Sequence, residues 1–209
     1  MQTDQSQHAE AARVIASGGI IAFRTDTFYG LGADPFNQYA VKAIRRLKGR
    51  DDEKPILVLI SDVGQVERFI ATRSELFDSV TRRYWPGPLT VIGVAHPELP
   101  TELTAGSGTI GVRLPDDKRV RDLVRACGGA LTATSANPSG SLPARSAEEV
   151  QTYFPDAIDL IIDDGDVTVD QPSTVLDLSE ARPRVVRAGA LSLEELEEVL
   201  SKDLSRELQ

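Results

Sequence analysis

Two stretches of the sequence place hydroxyl groups, glycines and charge directly after apolar runs. Arg24–Gly32 (RTDTFYGLG) carries two threonine hydroxyls and a carboxylate, and Leu131–Gly140 (LTATSANPSG) is dense in hydroxyl and amide groups. Such groups at the ends of strands in an α/β sheet form the usual ligand crevice. Ordinary turns are the alternative, because glycine supplies positive φ and small polar side chains bond to nearby backbone. Ser173-Thr174 and Arg187 add hydroxyls and a cation at later strand ends.

The segment Arg45–Arg50 (RRLKGR) concentrates four cations at the end of a predicted helix. Arg45 and Arg46 fit the negative end of the helix dipole. Lys48 and Arg50 flank a glycine ahead of a strand, so they could reach a pocket as phosphate ligands.

Arg113 is the fifth residue of an apolar strand that begins at Thr109. Strand periodicity puts Thr109, Gly111 and Arg113 on one face. An arginine among apolar residues is costly unless it is paired. The sequence therefore predicts either a buried ion pair with an acidic residue or an anion clamp.

Motifs for other chemistries are missing or misplaced. The sequence has no Walker-type loop and no GxSxG elbow, and the GxGxxG match at 106–111 opens a predicted strand rather than a helix. One cysteine, Cys127, and two histidines, His8 and His96, offer no metal cluster or nucleophile–histidine pair. The pattern indicates binding of a phosphate-bearing small molecule, such as a nucleotide, with catalysis by positioning and charge neutralisation.

Length and charge limit the class further. The chain has 209 residues and a net charge of −9, which predicts one domain over 1–209 and argues against a protein that coats nucleic acid. No apolar run reaches the ~18 residues of a membrane helix, and the N-terminus lacks signal-peptide features. A single cysteine favours a reducing compartment, so we expect a cytoplasmic protein.

Helical and strand-like patterns alternate along the whole chain. They predict an α/β fold with a large, twisted, mostly mixed β-sheet and flanking helices. The predicted helices are 5–17, 38–48, 62–71, 74–84, 116–126, 147–154 and one after Ser192. The predicted strands are 20–23, 55–60, 89–94, 109–114, 129–133, 157–163, 174–178 and 184–187.

The same segments, in the same order, resemble the YrdC-like family of threonylcarbamoyl-AMP synthases. Each motif is short, but seven in the right order make a specific signal. They are Thr25–Gly32, Lys48-Gly49-Arg50 followed by Pro55, Trp85–Thr90, Gly108–Pro115, Thr134–Gly140, Ser173-Thr174-Val175 and Arg187-Ala188-Gly189.

The resemblance implies a twisted α/β fold with a large central cavity lined by positive charge. It implies an enzyme, a nucleotidyltransferase, that makes threonylcarbamoyl-AMP and pyrophosphate from L-threonine, bicarbonate and ATP for threonylcarbamoyl-adenosine modification of tRNA. Mg²⁺ is expected with ATP, without a protein-held metal or a tightly bound organic cofactor. The expected partner is the downstream tRNA threonylcarbamoyl-transferase machinery, with at most weak direct RNA binding. The short, single-domain form is expected, without the extra C-terminal domain of longer members.

The resemblance also implies roles for individual residues. The catalytic residues would be Lys48, Arg50 and Ser135. The ATP-binding residues would be Lys48, Arg50, Thr109, Ser135, Asn137 and Arg187. The threonine-binding residues would be Thr25, Arg113, Thr132, Thr134 and Ser173. We further expect Lys48→Ala and Arg50→Ala to weaken ATP binding with little loss of stability, if both side chains face the cavity.

The sequence departs from the family pattern at Arg24, Asp51 and Leu59, and the departures bear mainly on the amino-acid pocket. Two alternatives therefore stay open. One is a paralogue of the same fold that binds nucleotide or RNA without the synthase reaction. The other is a different carbamoyl or acyl adenylate chemistry.

Overall fold

A computed structural model of the chain describes residues 2–49, 54–168 and 171–206. Its strands form two mixed sheets with helices packed around them, which confirms the α/β class. The helices are α1 (Gln2–Ala16), α2 (Gln38–Leu47), α3 (Glu75–Tyr84), α4 (Thr101–Thr104), α5 (Lys118–Ala126), α6 (Ala147–Tyr153) and α7 (Leu193–Arg206), with a 3₁₀ helix over Val63–Arg68.

The smaller sheet has four strands in the order β7-β2-β1-β8. The strands are β1 (Ile21–Arg24), β2 (Tyr29–Gly32), β7 (Thr134–Ser135) and β8 (Leu160–Ile162). β1 pairs antiparallel with β2 and parallel with β8, and β2 pairs antiparallel with β7.

The larger sheet has six strands in the order β10-β9-β4-β5-β3-β6. The strands are β3 (Val58–Ile60), β4 (Leu89–Val94), β5 (Thr109–Arg113), β6 (Ala130–Thr132), β9 (Thr174–Asp177) and β10 (Arg184–Arg187). β4 is the central strand for the site, because it pairs antiparallel with β5 and parallel with β9.

Helix starts follow the capping signals in the sequence. The Ser146 hydroxyl accepts the Glu149 N–H, and α6 begins at the next residue. Ser192 and Glu195 form a reciprocal capping box ahead of α7. In each case the side-chain oxygen satisfies an N–H that the first helical turn leaves without a partner.

The core lies on one face of the larger sheet. Val58, Val91 and Val112 are fully buried in the principal apolar cluster, together with residues of α2 and α3. A second cluster fills the space among α1, α5 and β1. Because side chains alternate along a strand, residues next to these valines in sequence face the other way. That second face of the sheet carries the candidate site.

Several sequence predictions of local structure were wrong in detail. Tyr29–Gly32 and Thr134-Ser135, which lie outside the predicted strands, are strands that pair with each other. The predicted strand over 55–60 covers only Val58–Ile60, and the predicted helix over 62–71 is the 3₁₀ helix. The local propensities of glycine and hydroxyl residues predict turns here, but pairing with distant strands decides the conformation of these segments.

Candidate active site

A cavity of about 590 Å³ is lined by residues of both sheets. Its size fits the range of small-molecule and cofactor sites. One wall comes from the smaller sheet, through Thr25, Thr27, Phe28, Tyr29, Gly30, Thr134 and Ser135. The expected large cavity is therefore present.

The larger sheet supplies the opposite wall by strand alternation. Val91 and Val112 point into the core, so Thr90 and Ile92 on β4 and Gly111 and Arg113 on β5 face the cavity. Gly111 leaves this wall open, since a Cβ there would lie 3.3 Å from the Thr90 side chain.

Arg113 lies almost fully buried in the cavity wall. Its Nε donates to the Gly87 carbonyl at 3.0 Å, and its Nη2 donates to Oδ2 of Asp26. Burial lowers the pKa of the Arg113 guanidinium and raises that of the Asp26 carboxyl, because loss of water outweighs their mutual attraction. Among the described residues, none accepts a hydrogen bond from Nη1. The buried ion pair that the sequence offered is present, with Asp26 as the acid, and the anion clamp stays a prediction for the donor at Nη1.

Arg187, at the end of β10, is fixed by Ser173. Its Nε and Nη2 donate to the Ser173 carbonyl at 3.1 and 2.9 Å, and Nη2 also donates to Oγ at 3.0 Å. Burial lowers the pKa of Arg187, and its charge also lowers that of Arg113. Gly189 permits this approach, because a Cβ there would lie 2.3 Å from the Pro172 carbonyl oxygen.

The cavity lining is positively charged. Of the described residues that line it, three are cationic (Lys54, Arg113 and Arg187) and none is a carboxylate. Asp26 balances one of these charges from beside Arg113. An excess of cationic over acidic groups along this lining, in a protein of net charge −9, makes the cavity suited to anions.

Thr25 begins the wall formed by the smaller sheet. Its hydroxyl donates to the Phe28 carbonyl at 2.6 Å and accepts the N–H groups of Thr27 and Phe28. The hydroxyl thus closes the turn between β1 and β2. The side chain also lines the cavity, so the turn and the crevice that the sequence offered as alternatives are the same feature.

The sequence-predicted residues divide into two groups. Six line the cavity: Thr25, Arg113, Thr134, Ser135, Ser173 and Arg187. Four others lie outside its lining: Lys48, Thr109, Thr132 and Asn137. Arg50, like Asp51, lies outside the described residues.

Lys48 differs from its expected placement toward the cavity. It is 1% exposed, and its Nζ donates to the carbonyls of Ser135 and Asn137 at 2.5 and 2.9 Å. Oγ of Ser135, a cavity residue, lies 3.4 Å from the ammonium. Lys48 therefore holds the 135–137 segment from behind the cavity. Lys48 therefore does not meet the condition on which a small stability cost was expected for Lys48→Ala, since its side chain does not line the cavity.

Thr109 and Asn137 have local partners. Thr109 begins β5 and bonds to Ser107, whose hydroxyl lies 3.0 Å from its own. The Asn137 side chain donates to the carbonyls of Pro138 and Ser141 and accepts from Lys48. Asn137 therefore shapes the 135–144 segment, from which Pro143 enters the cavity lining.

Thr132 is fully buried, and its hydroxyl accepts the Ala33 N–H at 2.8 Å. We expect Thr132→Val to lower the free energy of unfolding by about 1–3 kcal/mol, because it leaves a buried N–H without a partner. Urea unfolding measures this loss, and Thr132→Ser should retain most of the stability. A Thr132→Val protein of unchanged stability that binds L-threonine poorly would instead support the direct contact expected from the resemblance.

Sequence reasoning missed several cavity residues. Thr90 ends the Trp85–Thr90 motif and was given no role, yet it faces the cavity beside Ser173. Lys54 lies at the exposed rim. The available signal was strand period, since Thr90 and Ile92 alternate with core residues just as Gly111 and Arg113 do. Of the departures, Leu59 lines the cavity and Arg24 pairs with Asp117 at 3.6 Å.

Two other chemistries find no support in the described part of the chain. No group of three or more His, Cys, Asp or Glu residues there is arranged to hold a metal ion. Burial raises the pKa of Cys127 to about 12, so its thiol stays protonated, as expected for a packing residue.

No described helix is both long and apolar enough to cross a membrane.

Comparison with known proteins gives consistent matches. The Sua5/YciO/YrdC family model, described as "Telomere recombination", matches residues 13–189. The chain is 36% identical over 192 residues to the threonylcarbamoyl-AMP synthase of Pyrococcus abyssi, and 35% identical over 201 residues to that of Bacillus subtilis. It is 38% identical over 172 residues to that of Thiobacillus denitrificans.

The matches cover most of this chain but differ in their share of each relative. They span 92%, 96% and 82% of the chain, against 56%, 58% and 89% of the Pyrococcus, Bacillus and Thiobacillus proteins. The chain thus spans little more than half the length of the first two. The crystal structure of P. abyssi Sua5 complexed with L-threonine superposes with a TM-score of 0.88 at 36% identity, covering 92% of this chain and 57% of that one.

Proposed function

The chain belongs to the Sua5/YciO/YrdC family, and we propose that it is an L-threonylcarbamoyladenylate synthase. The observation that carries the proposal is that two guanidiniums, that of the buried Arg113 and that of the more exposed Arg187, line one cavity that has no carboxylate among its described lining residues. The names of the relatives supply the reaction, and the complex of the Pyrococcus protein with L-threonine supplies the amino acid.

The proposed reaction has two steps. The amine of L-threonine attacks CO₂, an N–C bond forms and a proton leaves, which gives the carbamate. A carbamate oxygen then attacks the α-phosphorus of ATP, and the bond to the bridging oxygen breaks. Threonylcarbamoyl-AMP and pyrophosphate result, in a nucleotidyl transfer. Charge neutralisation and alignment are the main demands of such a phosphoryl transfer.

The cavity residues can meet these demands. Arg113 can hold the threonine carboxylate through Nη1, since a planar guanidinium matches a carboxylate. Arg187, and Lys54 at the rim, can oppose phosphate charge. Thr134 and Ser135 provide hydroxyl groups on the facing wall, where both substrates would meet. Mg²⁺ is expected to enter with ATP, held mainly by its phosphates and water.

The product would pass to machinery that modifies an adenosine of tRNA. A reactive adenylate needs a downstream transferase, whereas the synthase itself needs only small-molecule sites. The net charge of −9 fits this division of labour, because tight RNA binding depends largely on neutralising phosphates. We expect at most weak direct binding to RNA and a cytoplasmic place of action.

Pyrophosphate release tests the proposal. The protein is incubated with ATP, Mg²⁺ and bicarbonate, with and without L-threonine, and L-serine serves as the matched amino-acid control. We expect release that requires both L-threonine and bicarbonate and is much slower with L-serine. Mass spectrometry should detect threonylcarbamoyl-AMP in the same samples.

Two results would contradict the proposal. ATP binding without release would favour a binding paralogue of the same fold, and an RNA-binding titration would then follow. Release that another amino acid or acyl donor supports better than L-threonine would indicate a related adenylate chemistry.

A further inference from the structure

The hydroxyl groups of Thr90 and Ser173 form a buried pair on the cavity wall. Their oxygens lie 3.0 Å apart, and the two residues are 2% and 3% exposed. Both line the cavity. The contact joins β4 to the residue that precedes β9, the strand parallel to it.

The proton count of this pair leaves one donor without a partner. Each hydroxyl can donate one hydrogen bond, and their mutual contact uses one of the two protons. Oγ of Ser173 also accepts from Nη2 of Arg187 at 3.0 Å, which uses no hydroxyl proton. Among the described residues, no acceptor takes the remaining proton. A buried donor without a partner is costly, so this site is suited to a ligand oxygen.

The position of Thr90 indicates which oxygen that would be. Val91 pairs with Val112 across β4 and β5, and continuing this antiparallel register places Thr90 beside Arg113. Thr90 therefore has Arg113 on one side, on the neighbouring strand β5, and Ser173 on the other. Ser173 is the residue whose carbonyl accepts a hydrogen bond from Arg187. A carboxylate could take Nη1 of Arg113 with one oxygen and the spare hydroxyl proton with the other.

We propose that Thr90 belongs to the site for the amino-acid carboxylate, where its hydroxyl and that of Ser173 present one shared donor beside Arg113. The inference rests on the proposed function. Whichever hydroxyl donates, Thr90 sets the direction of the spare proton, because its oxygen is the partner of Ser173. The alternative is that the pair only links β4 to β9 within the sheet.

Thr90→Val tests the proposal, since it removes the hydroxyl and keeps the shape and strand preference of the side chain. We expect the KM for L-threonine to rise about 10-fold or more, as for loss of a hydrogen bond to a charged group, while the KM for ATP changes less than 2-fold. Thr90→Ser should restore the KM for L-threonine to within about 3-fold of the wild-type value.

Thr174 provides the matched control, because it is the next buried hydroxyl along the chain and faces away from the cavity. Its hydroxyl donates to the Leu191 carbonyl at 2.8 Å. Thr174→Val should lower the melting temperature and leave both KM values within 2-fold of wild type. If Thr90→Val is unfolded at the assay temperature, Thr90→Ala under stabilising conditions gives the same comparison.

The outcomes separate this inference from the proposed function. An unchanged KM for L-threonine in Thr90→Val, or an equal rise for both substrates, would overturn the role of Thr90 while wild-type activity still stands. A rise confined to ATP would also overturn it. Absence of threonine-dependent release from the wild-type chain would instead overturn the proposed function itself, before any variant is compared.

Discussion

Replacing Arg113 with methionine is expected to reduce kcat/KM for L-threonine by at least about 100-fold. The guanidinium is buried in the cavity wall, and its Nη1 has no acceptor among the described residues. Truncating one partner of a buried, hydrogen-bonded charge pair typically costs 2–5 kcal/mol or more of binding. Steady-state pyrophosphate release at varied L-threonine measures the effect.

Arg113→Met also leaves the Asp26 carboxylate without its ion-pair partner, which complicates the comparison. Removing one partner of a buried ion pair destabilises a protein by about 3–5 kcal/mol. The double variant Arg113→Met with Asp26→Asn removes both charges, so it should recover much of that stability without recovering activity. Denaturant unfolding of both variants makes the comparison.

Arg113→Lys keeps the charge but loses the planar fork. We expect it to retain only a small fraction of activity, since one ammonium cannot bond Gly87, Asp26 and a ligand with the same geometry. If the double variant regained activity together with stability, relative to Arg113→Met, that result would contradict direct binding of the carboxylate by Arg113. It would leave Arg113 with a structural role alone.

Replacing Lys48 with methionine is expected to destabilise the protein by about 2–4 kcal/mol, because hydrogen bonds from a charged donor to buried carbonyls are lost. Nζ of Lys48 holds the carbonyls of Ser135 and Asn137, 87 and 89 residues away in sequence. For a chain of this length the change corresponds to a fall of roughly 5–15 °C in melting temperature. Thermal unfolding measures it.

Lys42→Met is the matched control, because Lys42 lies exposed on α2, the helix that ends directly before Lys48. Its melting temperature should stay within about 2 °C of wild type, since a surface substitution away from specific contacts has little effect. A Lys48→Met protein as stable as Lys42→Met, but with much weaker ATP binding, would contradict the positioning role. That result would support the phosphate contact expected from the sequence.

Much of the site was accessible from sequence where the signal is local. Side-chain alternation over Thr109–Arg113 put Gly111 and Arg113 on one face, and both line the cavity. Capping residues set the starts of α6 and α7. These features depend on neighbours within four residues, so the sequence contains their full physical cause.

The tertiary structure decided what depends on distant partners. The sequence offered an acid partner for Arg113 as one of two alternatives, and only the fold identifies that acid as Asp26, 87 residues away. Lys48 was expected at the cavity, and only the approach of the 135–137 segment shows that its ammonium is already engaged. Thr90 gained significance when parallel pairing of β4 with β9 brought Ser173 beside it. The sequence determined the chemical groups and the faces they occupy, because strand and helix periods are local. Strand pairing decided which groups meet. It joins segments that are far apart along the chain, and no local pattern in the sequence shows which segments will pair.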